Sequence, residues 1–411
     1  MKQPSVSVAR SKRQRKQEYF KCQRRRLAFA AQRKKRLEWL ETARDTQRIV
    51  LGDGKYITQS LSARFPPSVA QSAFQYATPV AMPNSQGSSL PNVVHTFYNI
   101  APQILISQQG TTFYPHYSPD LASWRGRRAC APTSEPSTIR FISKSTLTAA
   151  RHLIAENPRF MRQHPNAFPT SSVGVLSFAS AKRPGGGFLH GGDEQEETLA
   201  RSTSLVASLR SAQAKEFYRT HRKFLSADGA GLHDHSMVYS PGVVVFRRDD
   251  DDDIDVDSAS SRSTSTIAPY VINVLSSVPV NAAAIRQNYL ITSSDAHVFE
   301  NGIRDTMRDR MARALRIFEI RGDRALVLGA FGCGSSQNSV EMVAELWAEL
   351  LVCGTREGTE AEKEKEETRP AKFKGVFEEI VFAVPGKLFA SFERAFDMKV
   401  LEMEVISATS E

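Results

Sequence analysis

The chain has 411 residues, 41% of them hydrophobic and 24% charged, which allows a sizeable core and excludes a wholly disordered or fibrous protein. The formal net charge is +10, but residues 1–50 hold 16 Lys or Arg against four acidic residues. The rest of the chain is therefore slightly acidic, so a nucleic acid or another acidic partner should bind the N-terminal segment rather than the body.

The cysteines and the hydropathy pattern exclude several other classes. Cys22, Cys130, Cys333 and Cys353 are far apart, without a Cys-x-x-Cys pair or histidines at metal-ligand spacing, so we expect neither a zinc site nor a disulfide framework. No segment approaches the roughly 20 apolar residues that a membrane helix needs. We therefore expect a soluble intracellular protein, nuclear and/or cytoplasmic, that binds no membrane and needs no metal or other cofactor.

Residues 1–32 begin the chain as a basic arm. Lys and Arg are concentrated in three clusters, at 12–16, 24–26 and 33–36. Such clusters either contact nucleic acid or an import receptor, or form a solvated extension, and the sequence favours neither. We predict a disordered arm over 1–32, followed by a helical segment over 33–59 with a helix from about 33 to 49.

Three low-complexity stretches interrupt the rest of the chain. Residues 60–138 are rich in Ser, Pro and Gln without sustained periodicity, which predicts a long, largely irregular insertion. The acidic and Ser/Thr-rich residues 249–265 and the Glu/Lys-rich residues 357–374 should form flexible loops, because blocks of like charge do not enter a sheet. We expect the folded domain at 139–405.

Between these loops, short apolar or β-branched runs alternate with helical patterns. Runs of this kind are typical of strands buried on both faces. They lie at 173–179, 243–246, 271–275, 325–329 and 376–384. Apolar residues at helical spacing predict helices over about 300–320 and 340–350. The alternation predicts a three-layer α/β/α domain around a central mixed, mostly parallel sheet.

The first glycine-rich segment follows the predicted strand at 173–179. Three consecutive glycines, 185–187, allow a tight turn or a close approach of the backbone to a ligand. The acidic run 193–197 follows and opens a helix predicted over 198–209. Carboxylates at a helix start are usually only dipole partners, but these follow a strand end, where open α/β sheets place their ligands.

A second glycine-rich segment, 325–334, also consists of a strand that runs into a turn. Asn338-Ser-Val-Glu341 resembles a capping box that opens the next helix. A strand, a glycine-rich loop and a helix N-terminus together favour a site for a diphosphate, although a close-packed turn without a ligand has the same pattern. The segment contains neither a Walker loop nor a Gly-x-Gly-x-x-Gly motif.

Together these segments resemble the microbial-type poly(ADP-ribose) glycohydrolase family. The family signature is Gly-Gly-Gly, seven residues and then Gln-Glu-Glu, which 185–187 and 195–197 match at that spacing. Weaker similarity covers further stretches and leaves the basic arm and the 60–138 insertion outside. Those stretches are 33–56, 146–153, 239–246, 271–281 and 326–334.

The resemblance implies a macrodomain-like fold, hydrolysis of the ribose–ribose O-glycosidic bond of poly(ADP-ribose), and a role in the DNA damage response. Poly(ADP-ribose) and ADP-ribosylated proteins would be the partners. Glu197 would be the catalytic acid/base and Glu196 would hold the ribose hydroxyls. The acid must protonate a sugar leaving group. We expect the neighbouring carboxylate and burial to raise the pKa of Glu197, against the opposing effect of the helix start, only when substrate excludes water. The substrate-binding residues it implies are Gly185, Gly186, Gly187, Gln195, Gly332, Cys333, Gly334 and Asn338.

The chain departs from the family two residues beyond Gly-Cys-Gly. Relatives commonly have an aromatic residue there that closes over the ribose, whereas this chain reads Ser335-Ser336. Phe331 or another loop residue must then take its place, or the site is more open. Two alternatives therefore stay open: an ADP-ribose-binding macrodomain with little catalysis, and a hydrolase of protein-linked mono(ADP-ribose).

Overall fold

The computed structural model describes residues 12–61, 74, 80–82, 93–126, 136–164, 167–228, 231–249, 266–289, 291–292, 294–357 and 367–410. Its helices are α1 Lys12–Val50, α2 Ala101–Gly110, α3 Pro119–Ala122, α4 Thr146–Glu156, α5 Gln195–Ser202, α6 Leu205–Leu209, α7 Ala212–Asp228, α8 Ala282–Asn288, α9 Ala296–Arg321, α10 Val340–Ala348 and α11 Phe389–Ser410. Its strands are β1 Lys55–Leu61, β2 Val80–Met82, β3 Val93–Asn99, β4 Thr112–Tyr114, β5 Thr138–Ile142, β6 Met161–His164, β7 Ala167–Ser171, β8 Val173–Phe178, β9 Met237–Arg247, β10 Thr266–Ser277, β11 Ala325–Leu328, β12 Thr355–Glu357, β13 Glu367–Arg369 and β14 Glu379–Ala383.

A seven-stranded sheet in the order β4-β9-β10-β8-β11-β14-β5 forms the centre of the molecule. The five strands from β10 to β5 are parallel; β9 runs antiparallel to β10, and the edge strand β4 runs antiparallel to β9. The predicted mixed, mostly parallel sheet is therefore confirmed. Because β8, β10 and β11 are neighbours and parallel, their carboxyl ends meet at one edge of the sheet.

Successive residues of the central strands point to opposite layers of helices. Val175, Val327 and Val381 belong to a core shared with α4, α5 and α7. Their neighbours Leu176 and Leu326 belong to a second core shared with α9, α10 and α11. Full burial of each such side chain stabilises the fold by about 1.5–3 kcal/mol. This alternation confirms the predicted three-layer α/β/α arrangement.

Several element boundaries differ from the predictions. The apolar runs at 243–246 and 271–275 mark only the middles of β9 and β10, which pair along most of their length. The helix predicted over 198–209 is divided because Thr203 leaves the helix to form a bridge with Val245. The N-cap of α10 is Ser339 rather than Asn338, since the Ser339 hydroxyl accepts from the Met342 N–H at 3.2 Å.

The prediction of a disordered arm is wrong for residues 12–32, which belong to α1. Residues 12–50 contain neither Gly nor Pro and are rich in Arg, Lys, Gln and Ala, which are good helix formers. The charge clusters predict disorder, whereas intrinsic helix propensity decides the local structure. Residues 1–11 lie outside the described part of the chain.

The prediction of an irregular insertion over 60–138 is wrong for 93–125. Strand β3 pairs with β1 and β2, and β4 forms the edge of the main sheet. Leu121 and Trp124 are buried in the core. In the loop predicted at 357–374, β12 and β13 pair antiparallel, so the stretch between them is only 358–366, which is not described. The predicted loop at 249–265 lies outside the described residues from 250 onward.

Candidate active site

The two glycine-rich segments meet at the carboxyl ends of the paired strands β8 and β11. The segment 179–194 follows β8 and the segment 329–339 follows β11. Together with 278–281, which follows β10, they enclose a cavity of about 470 Å³. Of the residues predicted from sequence, the cavity lining contains Gly186, Gly187, Glu196, Glu197, Gly332 and Gly334.

Gln195 fixes the start of α5 against the end of β8. Its amide group donates to the Leu176 carbonyl at 2.8 Å and to the Thr146 hydroxyl at 3.2 Å, and its Oε1 accepts from the Phe178 N–H at 2.9 Å. The side chain is therefore committed to the protein's own backbone and does not line the cavity. Gln195 was predicted to bind substrate, but the structure gives it a positioning role.

Glu196 is a buried carboxyl group, only 2% exposed. Its two oxygens accept from the N–H groups of Ser180 at 2.7 Å and Gly185 at 3.2 Å. Burial raises the pKa of Glu196 to about 8; the two N–H groups oppose the rise and Glu197 adds to it. Gly185 has φ +71° and serves this contact rather than lining the cavity.

Glu197 lies on the cavity wall as the third residue of α5. One carboxylate oxygen accepts from the Gly187 N–H at 2.6 Å and the other from the Glu194 N–H at 2.8 Å. The second bond is half of a capping box, since the Glu194 side chain accepts from the Glu197 N–H in return. The carboxylate is thus held in one orientation by backbone groups that its own helix start and the glycine loop provide.

The loop after β11 presents backbone N–H groups to the same cavity. Gly334, Ser335 and Ser336 line the cavity, and none of their N–H groups donates to an acceptor in the described part of the chain. The Cys333 N–H, in contrast, donates to the Ala330 carbonyl at 3.1 Å, so the predicted phosphate contact by Cys333 conflicts with the structure. Burial raises the pKa of the Cys333 thiol to about 12.

Asn338 holds this loop in shape. Its side-chain amide donates to the carbonyls of Gly332 at 3.0 Å and Val280 at 2.7 Å, and its backbone N–H also donates to Gly332. Asn338 is only 4% exposed and does not line the cavity. The predicted substrate contact conflicts with the structure, in which Asn338 shapes the loop that follows β11.

Phe331 cannot act as the aromatic lid over the ribose. Its side chain is fully buried and packs on Phe178, with ring centroids 5.3 Å apart. Among the possibilities that the sequence leaves open, replacement of the family's aromatic residue by Phe331 therefore conflicts with the structure. Ser335 and Ser336 line the cavity where that aromatic residue is expected.

Several cavity-lining residues had no assigned role in the sequence analysis. Lys182 and Arg183 precede the glycines and bring positive charge to the cavity. His233 also lines it, with an unusual φ of +60°. Burial, followed by the charges of Arg310 and Lys182, lowers the pKa of His233 to about 4, so its ring is neutral near pH 7. From the sequence, only Lys182 and Arg183 could have been predicted to lie at the site, because they are close to the glycines.

The described part of the chain forms neither a metal centre nor a membrane-spanning helix. Among the residues described above, no group of three or more His, Cys, Asp or Glu side chains is placed to hold a metal ion. None of the described helices is long and apolar enough to cross a bilayer.

Comparisons with known proteins agree with the fold. The family model for the microbial-type PARG catalytic domain matches residues 91–248. That match contains the glycine signature, and it begins inside the segment 60–138, which the sequence analysis had placed outside the resemblance. No curated protein sequence matches the chain.

Solved poly(ADP-ribose) glycohydrolase structures match most of the chain. The enzyme from Thermomonospora curvata is 28% identical, with 88% of this chain and 99% of that chain covered and a TM-score of 0.58. The same enzyme bound to the inhibitor ADP-HPD gives 27% identity over the same shares, with a TM-score of 0.57. The enzyme from Deinococcus radiodurans in complex with ADP-ribose is 28% identical over 72% of this chain and 98% of that chain, with a TM-score of 0.53. The chain is therefore similar to the microbial-type poly(ADP-ribose) glycohydrolase family over residues 91–248, and to solved bacterial glycohydrolases over most of its length.

Proposed function

We propose that the protein hydrolyses the ribose–ribose O-glycosidic bonds of poly(ADP-ribose) and releases ADP-ribose, with Glu197 as general acid/base. The observation that carries the proposal is the position of Glu197, whose carboxylate is fixed on the cavity wall by the N–H groups of Gly187 and Glu194. Solved relatives of the family bind ADP-ribose and the inhibitor ADP-HPD. The cavity is the place for the same ligand chemistry in this chain.

In the proposed reaction, protonated Glu197 donates its proton to the oxygen of the leaving ribose. The bond between that oxygen and the anomeric carbon breaks, and positive charge develops on the sugar ring. A water molecule then adds to the anomeric carbon, and Glu197 accepts the proton that the water loses. One water is consumed, one ribose hydroxyl is formed on each fragment, and the enzyme returns to its starting state. A positioned acid/base of this kind typically contributes about 10² to 10⁴ in rate.

Glu196 supports this step from behind. With a pKa of about 8 the group is mostly neutral at pH 7, so it places little negative charge beside Glu197 and the substrate phosphates. A neutral carboxyl group also has a proton to donate, which fits the proposed hydrogen bond to a ribose hydroxyl. Its bonds to Ser180 and Gly185 fix it in the loop that carries the glycines.

The opposite side of the cavity is suited to the diphosphate of the ligand. Free N–H groups of Gly334, Ser335 and Ser336 can donate to phosphate oxygens, and Lys182 adds a positive charge to the same cavity. The diphosphate would thereby hold the ADP-ribose unit while its distal ribose lies against Glu197.

A second candidate function is an ADP-ribose-binding protein with little catalysis. Ser335 and Ser336 on the cavity wall favour it, because neither supplies the aromatic ring that the family resemblance places over the ribose. The test is incubation of the purified protein with poly(ADP-ribose) and with mono(ADP-ribosyl)ated protein, followed by quantification of free ADP-ribose. Release from the polymer supports the proposal; tight ADP-ribose binding without product indicates the reader, and release from the mono-modified protein alone indicates a different linkage.

We also propose that the protein acts in the nucleus and/or the cytoplasm, as part of the DNA damage response, and that the basic part of α1 has an acidic partner, either a nucleic acid or an import receptor. The concentration of positive charge in the first 36 residues supports this. Imaging of the full chain and of a variant lacking 12–32, fused to a fluorescent protein, tests it. Identical distributions would argue against an import role.

A further inference from the structure

The C-terminal part of helix α1 forms part of the wall around the glycine loop. Trp39 is buried, and the Arg201 guanidinium of α5 stacks over its ring at 4.8 Å. The Thr46 hydroxyl donates to the Arg201 carbonyl at 2.5 Å. These contacts fix α1 to the helix that carries Glu197.

Two adjacent glycines connect α1 with the candidate acid. A Cβ atom at Gly191 would lie 2.6 Å from the Arg36 carbonyl oxygen, so the loop packs directly on the backbone of α1. A Cβ atom at Gly192 would lie 2.2 Å from a carboxylate oxygen of Glu197. The backbone of α1 at Arg36 is therefore separated from the candidate acid by only two residues of the loop.

From Arg36 toward its N-terminus, α1 projects away from the body. Side chains 20, 21 and 23–38 are all exposed. The helical residues 12–36 span about 37 Å. They include 12 Lys or Arg and one acidic residue, Glu18. Consecutive residues are about 100° apart around a helix, so the exposed cluster Arg24–Arg26 presents positive charge on several sides.

This charge distribution lowers the stability of the projecting part of the helix. Like charges three or four residues apart destabilise a helix, and the described side chains of the projecting half, 20, 21 and 23–36, are exposed and bury no apolar face that would compensate. A bound polyanion would neutralise the repulsion and release counterions. The rest of the chain is slightly acidic, so α1 is the strongly basic surface that the sequence provides.

We infer that the projecting half of α1 binds the phosphates of the poly(ADP-ribose) chain that extends beyond the unit in the cavity. The inference rests on the proposed function. It favours the substrate over a nucleic acid because the row of cations starts at Arg36, whose backbone packs on Gly191 in the loop next to Glu197, and because each unit of the polymer carries a diphosphate. A second contact of this kind makes binding of long chains partly intramolecular and leaves very short substrates unaffected.

The test compares two triple variants of the full chain that remove the same charge. The first is Arg24→Gln/Arg25→Gln/Arg26→Gln on α1. The control is Lys215→Gln/Lys387→Gln/Arg394→Gln, whose residues are exposed and lie on α7, between β14 and α11, and on α11. For each protein, kcat and KM are measured with long poly(ADP-ribose) and with a two-unit substrate at about 50 mM and about 200 mM salt.

We expect the α1 variant to raise KM for the long polymer without a change in kcat, and to leave both constants for the two-unit substrate unchanged. If each arginine contacts one phosphate, the slope of log KM against log salt concentration should fall by about 2. The rise of KM from low to high salt is then about 20-fold smaller than in wild type. The control variant should behave as wild type.

Three results would overturn the inference. In the first, the α1 variant changes KM equally for the long and the two-unit substrate. In the second, it changes KM for neither substrate. In the third, KM for the long polymer is unchanged but the variant binds single-stranded nucleic acid more weakly, which would make α1 a nucleic-acid surface. Failure of the proposed function is distinguishable, because wild type would then release ADP-ribose from neither substrate.

Discussion

Replacing Gly192 by Ala places a methyl group in the space of the Glu197 carboxylate. The Cβ atom would lie 2.2 Å from Oε2, 2.4 Å from Cδ and 2.6 Å from Oε1, whereas ordinary contacts are 3.4–4 Å. Either the carboxylate or the backbone must therefore move by more than about 1 Å. The carboxylate moves more easily, because it is the free end of a flexible side chain.

The size of the effect follows from the bonds that this movement breaks. Glu197 would lose its bonds to the N–H groups of Gly187 and Glu194, at 2.6 and 2.8 Å, each with a net value of about 1 kcal/mol. A catalytic group displaced by about 1 Å costs about 10² in rate. We expect kcat for poly(ADP-ribose) to fall about 100-fold, with KM nearly unchanged and the unfolding free energy lower by at most about 2 kcal/mol.

The assay is the initial rate of ADP-ribose release together with thermal denaturation. Gly302→Ala is the matched control, because an added Cβ at Gly302 in α9 has nothing within 4 Å. That variant should keep full activity and gain about 0.5–1 kcal/mol in stability from the better helix former. A Gly192→Ala protein with kcat close to wild type would refute the proposed role of the fixed carboxylate.

Two further predictions concern the neighbouring residues. Glu196→Gln leaves the N–H of Ser180 or Gly185 without an acceptor and should destabilise the protein by about 1–3 kcal/mol at pH 5. The folded-state pKa of Glu196, about 8, exceeds the ordinary 4.5, so its contribution to stability is complete below pH 4.5 and is lost as the pH rises through 8. Urea unfolding between pH 5 and 8 should therefore show a smaller decline for the Gln variant than for wild type; equal declines would contradict the assignment. Ser336→Phe should tighten ADP-ribose binding about 2- to 10-fold through ring stacking, measured by calorimetry, and an unchanged Kd would mean that this side does not face the ligand.

Sequence reasoning identified the site because its main signal is local. The spacing between 185–187 and 195–197 brings the glycines and both glutamates to the end of one strand, and the apolar runs of 173–179 and 325–329 reveal strands buried on both faces. Neighbouring parallel strands then bring the two glycine-rich loops together. The fold and the location of the site could therefore be predicted without coordinates.

The division of roles within the site needed tertiary structure. Glu196 and Glu197 are adjacent in sequence, and only the path of the loop decides which carboxyl group is buried and which lies on the cavity wall. Phe331 precedes Gly332 in the loop that follows β11, but its ring packs on Phe178 inside the core. His233 reaches the cavity through a left-handed backbone conformation that no local pattern announces.

The N-terminal helix shows a different limit. Charge clusters over 12–36 are compatible with either a disordered arm or a helix, because net charge opposes compaction but does not prevent a local helix. The same helix packs on the glycine loop through a close approach between Arg36 and Gly191. These residues are 155 positions apart in the sequence, so a local pattern does not predict the contact.

The most direct test of the central claim is a comparison of wild type with Glu197→Gln in two measurements, release of ADP-ribose from poly(ADP-ribose) and binding of free ADP-ribose. We predict that wild type releases ADP-ribose, that the variant is slower by at least about 10²-fold, and that both proteins bind ADP-ribose with similar Kd. A variant that retains most of the wild-type rate would contradict the assignment of Glu197 as the acid/base.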